Sequence, residues 1–437
     1  MRHYESSLAN GFIHLQREHQ GALSPYTIEI NANTRYQSVI GFGGAFTEAA
    51  AYNFSKLSKE QQSKILSLYF DPKIGLRYSI GRIAMNSCDF ALGNYTYVDD
   101  FDTTLESFDI SREKEWVIPM IQQAQNVAKQ PISICASPWS PPAWMKTNNQ
   151  MNHGGQLKEE YYPLWAKYFA RFIHEMRQEE INITAVTPQN EPAAVQIWDS
   201  CIYSAEEEGR FVLDHLGPTL HEEGLADVNI YIWDHNRDVI IERVQPILDD
   251  PRASKYVHGV ALHWYVSEEF ENLSKVKELF PDTHLLFTEG CIEGGTQRGA
   301  FSTGERYMRN LIGDFSNGLE GYIDWNLLLD LQGGPNHVGN YCDAPILCDP
   351  ENDVVHVNSS YYAIGHFSKF VDMGAIRVAS SSNHPFVNHV SFQNPTGEIV
   401  TIIQNETEQV TTVNISTFVI QLQPHSFSTV IMEATDV

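Results

Sequence analysis

The sequence predicts an α/β protein, a (β/α)8 barrel carrying a small antiparallel β-sandwich built from both ends of the chain. Three observations carry this. Between residues 39 and 371, apolar strand-like runs alternate with longer amphipathic stretches, the pattern of repeated βα units. Beyond residue 372 the helical period disappears and short alternating segments follow one another through polar turns. The first forty residues have the same short alternating character.

In chain order, YTIEI (26–30) and RYQSVI (35–40) read as strands separated by an Asn-rich turn. GFGGAFTEAAA (41–51) then opens the βα series. Eight runs can be counted: 39–46, 76–85, 132–139, 183–191, 229–236, 258–265, 284–290 and 322–330. Helical stretches fall between them, such as KEQQSKILSLYF (59–70) and YYPLWAKYFARFIHEMRQEE (161–180). In the second, Leu164, Tyr168, Phe172 and Met176 recur at helical spacing, a core-facing stripe. A last helix around 361–371 is expected to close the barrel. The segments NHVSFQ, EIVTIIQN, FVIQLQ and FSTVIM make the sandwich, and the amino-terminal strands are expected to join it. The expected domains are therefore 1–40 with 372–437 as the sandwich, and 41–371 as the barrel.

With 437 residues the chain can bury a large core. A formal net charge of −26 argues against nucleic acid or an anionic membrane surface as partner, since both would repel it. Six cysteines are scattered without a CxxC pair, which fits a reduced compartment better than a disulfide framework or a zinc site. The start of the chain has no apolar signal-like core and no run approaches a membrane span. A cytoplasmic enzyme without metal or cofactor is the expectation.

The chemistry gathers where the runs end, because barrel sites sit at the carboxyl ends of strands. VTPQNEP (186–192) ends the fourth run at Glu191, and the following proline should hold that residue extended. LLFTEGC (285–291) ends the seventh at Glu289. Other strand ends carry groups suited to sugars: Asp89, Trp139, Asn190, His263, Tyr265, Trp325, Asn326 and Asn340. Indole faces can cover the C–H side of a pyranose, while Asp and Asn bind hydroxyls. Each also has a plain alternative: Asp89 as a loop cap, the tryptophans as core, His263 as a satisfied core histidine. Asp234 at its strand end fits either substrate contact or a supporting role. Arg82, inside the second run, needs a partner. A guanidinium holding Glu289 ionised would suit a nucleophile, with Glu191 carrying the proton. Two carboxyls about 5–5.5 Å apart would make a retaining glycosidase.

These motifs carry a resemblance. GFGGAFTEAAA, SCDF, ASPWSPPAWMKTN, NEP (190–192), KYVHGVALHWY, TEGC (288–291), DWNLLLD with QGGPNHVGN, and GHFSKF occur in this order, from about residue 25 to the end. The chain resembles glycoside hydrolase family 30 and, within it, the glucosylceramidase (lysosomal acid β-glucosidase) branch. The resemblance implies a barrel with a side β-domain, retention of anomeric configuration, and no metal or cofactor. It implies Glu191 as acid/base, Glu289 as nucleophile, and Arg82 supporting the nucleophile. It also places Asp89, Trp139, Asn190, Trp325 and Asn340 around the cleaved sugar. The segment after NEP, AAVQIWDSC, departs from the branch's lipid-holding loops. The expected activity is an exo-β-glucosidase on a soluble or lipid-linked β-glucoside. β-Xylosidase or β-1,6-glucanase activity is the alternative within the family, and a non-catalytic sugar-binding barrel the alternative of another class.

Overall fold

The computed structural model describes residues 1–16 and 23–436; positions 17–22 of the expected sandwich segment and residue 437 lie outside the described residues. Strands β1 (Arg2–Ser7), β2 (Gly11–Leu15) and β3 (Thr27–Ser38) come first. Eight barrel strands follow: β4 (Gly41–Ala45), β5 (Ile80–Met85), β6 (Ser133–Pro138), β7 (Ile183–Val186), β8 (Asn229–Asn236), β9 (Val257–His263), β10 (His284–Glu289) and β11 (Gly321–Asn326). A short three-stranded sheet, β12 (Leu329–Asp330), β13 (Ile346–Asp349) and β14 (Val354–Val357), precedes the strands of the carboxyl-terminal region. Those are β15 (Ile376–Ser382), β16 (Val387–Gln393), β17 (Ile399–Asn405), β18 (Thr411–Ile415), β19 (Phe418–Leu422) and β20 (Ser426–Met432).

All eight expected barrel runs are strands, and they close in the order β10-β11-β4-β5-β6-β7-β8-β9. Their near-continuous apolar composition follows from parallel strands being covered on both faces; β4 and β11 are buried throughout. Inside the barrel Cys135, Ala185, Tyr231, Ala261, Leu286 and Ile323 form one packed layer. The glycines of GFGG are needed where β4 meets β5: a Cβ on Gly43 would lie 1.8 Å from the carbonyl oxygen of Ile80.

The second sheet has nine strands in the order β19-β18-β3-β15-β16-β17-β20-β1-β2, so the amino-terminal strands do join it. Ile28, Ile399, Ile403, Val413, Ile420, Leu422 and Val430 pack into its core. The Asn-rich turn expected between residues 30 and 35 is instead a bulge within β3. Ala379 pairs with Asn31 but its neighbour Val378 pairs with Arg35, so the extra residues loop out of an unbroken strand.

The chain divides into two compact units, one of residues 1–41, 297–321 and 357–437, the other of 42–296 and 322–356. The first thus takes in two helices from the span expected to be barrel, Phe301–Ser316 and Ser359–Ser368. Aromatic packing explains this: Phe301 stacks on Phe427 at 4.7 Å, and Phe315 lies edge-on to Phe392 at 5.6 Å. Every candidate site residue belongs to the second unit. Among the described residues no helix is long and apolar enough to cross a membrane.

Candidate active site

Two residues further along each strand from the packed apolar layer, the side chains facing the barrel axis turn polar. From Cys135 this leads to Ser137, from Ala185 to Thr187, from Ala261 to His263, from Leu286 to Thr288 and from Ile323 to Trp325, the step of two that keeps a strand residue on one face. β8 reaches the same level differently. Its register shifts between Trp233 and His235, and Trp233 and Asp234 have φ of +76° and +52°, a bulge that turns Asp234 inward.

Asp234 is the hub of this polar layer. Its oxygens accept from Arg82 Nη2 at 2.7 Å, Thr187 Oγ1 at 2.6 Å, Thr288 Oγ1 at 2.6 Å and His263 Nε2 at 3.0 Å. Burial would raise its carboxyl, but Arg82 and His263 outweigh that and hold it far below the usual range. Arg82 is fully buried and spends its remaining N–H groups on Glu289 Oε2 at 2.6 Å, Asn190 Oδ1 at 2.9 Å and Ser137 Oγ at 3.1 Å. The one cation within β5 thus has its partners.

Glu191 and Glu289 stand on this layer. One oxygen of each lies within 4.8 Å of the other and of a His263 ring nitrogen. Glu289 Oε1 also accepts from the Tyr265 hydroxyl at 2.9 Å. Glu191 is not extended as expected: its φ is +47°, beyond the end of β7. Its amide donates to the carbonyl of Asp234 at 3.0 Å and its carbonyl accepts from Ala194 at 2.9 Å, so a tight turn anchored on the β8 bulge overrides the preference set by Pro192.

Burial raises both carboxyls. At Glu191 the His235 charge and then the His263 hydrogen bond oppose it and hold the group low. Burial lowers His235 itself, and His263 is the partner that hydrogen-bonds Glu191 directly, at 3.2 Å. At Glu289, burial and the neighbouring Glu191 charge prevail over His263 and Arg82, and the group is pushed up. The two directions run opposite to the order expected from sequence. His263 lowers both carboxyls; burial opposes its own charge, yet Glu289, Asp234 and Glu191 push it up to about 9.

The glutamates face a cleft that is open at its mouth. Asp89, Trp139, Asn190, Tyr265, Trp325 and Asn340 border it as the sequence anticipates. Asp89 accepts from Asn336 and Asn340 Nδ2, each at 3.0 Å; burial pushes it up to about 7 against the Asn340 bond, with the Glu289 charge adding to the rise. Trp139 and Trp325 stack at 5.2 Å, with the Arg82 guanidinium 4.7 Å from the Trp139 ring. Two residues fall outside the wall. His263 is fully buried, its ring nitrogens on Glu191 and Asp234, so it is placed to orient Glu191 rather than to meet a sugar. Asn326 accepts from Thr47 at 2.6 Å inside the barrel top.

Glu191, His263 and Glu289 are close enough to ligate a metal ion. Their chemistry does not suit one: both nitrogens of His263 are committed to carboxylates, and Arg82 already neutralises Glu289. Sequence reasoning passed over Gln196, Trp198, His235 and Asn236, which also border the cleft. Each lies within a few residues of an expected strand end, and that position was the one signal available.

A (β/α)8 barrel with two close carboxyls, a buried guanidinium and indoles around a polar cleft defines a glycoside hydrolase. Comparison with known proteins agrees. The glycosyl hydrolase family 30 TIM-barrel model matches residues 39–371 and the family's beta sandwich model matches 374–430. The chain is 34% identical to the lysosomal acid glucosylceramidase of Mus musculus over 421 residues, covering 92% of this chain and 81% of that one. It is similar to the crystal structure of SrfJ from Salmonella typhimurium, with a TM-score of 0.94, 38% identity and 99% of both chains covered. It also matches the endo-beta1,6-glucanase BT3312, with a TM-score of 0.88, 30% identity and 98% of both chains covered. The chain belongs to glycosyl hydrolase family 30.

Proposed function

We propose that the protein is a retaining, exo-acting β-glucosidase that cleaves soluble or lipid-linked β-glucosides by double displacement. The observation that carries this reading is the approach of Glu191 and Glu289 to within 4.8 Å. Retaining enzymes keep their carboxyls about 5–5.5 Å apart, whereas inverting ones need roughly 6.5–9.5 Å to admit a water.

Glu289, oriented by Arg82 and Tyr265, attacks the anomeric carbon. Glu191, held by His263, protonates the departing oxygen and a glycosyl ester forms on Glu289. Glu191 then takes a proton from water, which attacks the same carbon and releases the sugar with its configuration retained. The pair shares one proton. A glycosidic oxygen beside Glu191 favours the proton there, and positive charge growing at the anomeric carbon favours ionised Glu289, which opposes the effect of burial on Glu289. Catalytic efficiency is therefore bell-shaped in pH, falling when both carboxyls are protonated and again when neither is.

NMR of the freshly released sugar tests retention: β-anomer first is expected, and α-anomer first excludes the mechanism. Glu191→Gln should slow poorly activated leaving groups far more than activated aryl ones, which need little protonation. Equal slowing of both would remove Glu191 from the acid role. The likeness to an endo-β-1,6-glucanase supports a second reading, endo cleavage of β-1,6-glucan. Release of glucose alone from a β-1,6-glucan oligosaccharide favours the first, and shorter oligosaccharides the second.

A further inference from the structure

The hydrolytic scheme leaves two cysteines in the cleft wall unused. Cys291 lies two residues beyond Glu289, and Cys342 two residues beyond Asn340. An isolated antiparallel bridge pairs Glu293 with Cys342, and the Asp343 amide donates to the Ile292 carbonyl at 2.8 Å, so the segments run side by side. Cys291, two residues from Glu293, is the diagonal neighbour of Cys342 across that bridge. The two thiols belong to one packed cluster beneath the cleft, both are unoxidised, and both border the cavity. Cys291 Sγ is also 3.5 Å from the Tyr265 hydroxyl that donates to Glu289.

We propose that Cys291 and Cys342 form an oxidisable dithiol in the wall of the catalytic cleft, which a small peroxide closes into an intramolecular disulfide and a thiol reductant reopens. One sulfur attacks hydrogen peroxide, breaking its O–O bond to give a sulfenic acid and water. The other sulfur attacks the sulfenic sulfur and releases a second water. Two thiols and one peroxide thus become one disulfide and two waters, with both electrons passing to the peroxide. Gly294 and Gly295, with φ of +83° and +95°, lie three and four residues after Cys291 and give that turn room to adjust. The neighbouring Cys342 thiol, together with burial, pushes the Cys291 thiol well up, so closure is slow and needs sustained oxidant.

A sulfur–sulfur bond of about 2.05 Å takes the Cys291 sulfur out of its contact with the Tyr265 hydroxyl as a thiol. It also ties the segment behind the nucleophile to the loop whose Asn336 and Asn340 hold Asp89. The closed form should therefore turn over poorly.

The test treats the full chain with hydrogen peroxide, then alkylates it after denaturation and maps the peptides. A linked 291–342 pair, two hydrogens lighter than the free peptides, is expected. It should come with a loss of roughly tenfold or more in kcat/KM, the worth of a hydrogen bond to a charged group. Dithiothreitol should restore activity, which separates the effect from methionine oxidation. Cys342→Ser, measured against its own untreated rate, should lose little on the same treatment. Absence of the 291–342 link overturns the proposal whatever glycoside is cut. So does a link that leaves kcat/KM unchanged, or an equal reversible loss in Cys342→Ser.

Discussion

The Tyr265 hydroxyl and the Arg82 guanidinium each hold one oxygen of Glu289, and they differ in what their loss would do. Tyr265 sits at the cleft wall and donates one bond to the carboxylate. A hydrogen bond to a charged group contributes about 1.5–3 kcal/mol, so Tyr265→Phe should lower kcat/KM roughly tenfold to a hundredfold. The thermal midpoint should shift by only a few degrees, and steady-state kinetics beside a melting curve checks both. Arg82 bridges Asp234 and Glu289 in full burial, and removing it strips the guanidinium from two buried carboxylates. Arg82→Ala should therefore fail first as a fold, by about 3–5 kcal/mol in denaturant titration. His263 makes a pH-dependent contribution. In the fold it is pushed up to about 9, above the ordinary imidazole value of 6.5. The stability it contributes is thus complete below 6.5 and is lost as pH rises through 9, up to about 3 kcal/mol. The midpoint of the native protein should fall over that interval, and His263→Gln, which cannot titrate, should flatten the slope. An unchanged slope would mean that the imidazole is not charged in the fold.

At the scale of elements, the strands were legible and their irregularities were not. A parallel strand buried on both faces shows itself as an apolar run, so all eight barrel strands could be read from composition. The β8 bulge at Trp233 and Asp234 leaves no such mark, because Tyr-Ile-Trp-Asp-His continues the run while the backbone folds back on itself. That is why Asp234 could not be assigned a role, although it holds four partners. The left-handed turn at Glu191 was hidden for a related reason: a local rule about Pro192 pointed one way and a tertiary hydrogen bond to Asp234 decided the other. Asp89 was legible as a polar strand end, but its two asparagine partners sit some 250 positions away in sequence. Under the proposed function, Asp89 so held would act as a specificity element. Glucose offers its 6-hydroxyl to this carboxyl and xylose lacks it, so aryl β-glucosides should exceed the matching xylosides by about tenfold or more. Asp89→Ala should shrink the ratio chiefly through lost glucoside activity. Equal rates on both sugars in the native enzyme would make a xylosidase or a broad glycosidase the better reading.

At the scale of the whole molecule, the formal charge of −26 acts on approach to the substrate rather than on the chemistry. A soluble aryl glucoside is neutral and reaches the cleft without electrostatic work, so its kcat/KM should not respond to salt. A lipid-linked glucoside is met at a surface, and the sign of that surface then matters. In vesicles of neutral lipid, turnover should again be insensitive to ionic strength. In vesicles rich in anionic lipid, protein and membrane repel each other, and turnover at low salt should be slower. Raising the salt from about 0.01 M to 0.15 M shortens the screening length from roughly 30 Å to 8 Å. The deficit on anionic vesicles should shrink over that range while the rate on neutral vesicles holds steady. Faster turnover on anionic vesicles at low salt would contradict this and point to a basic docking face that outweighs the net charge.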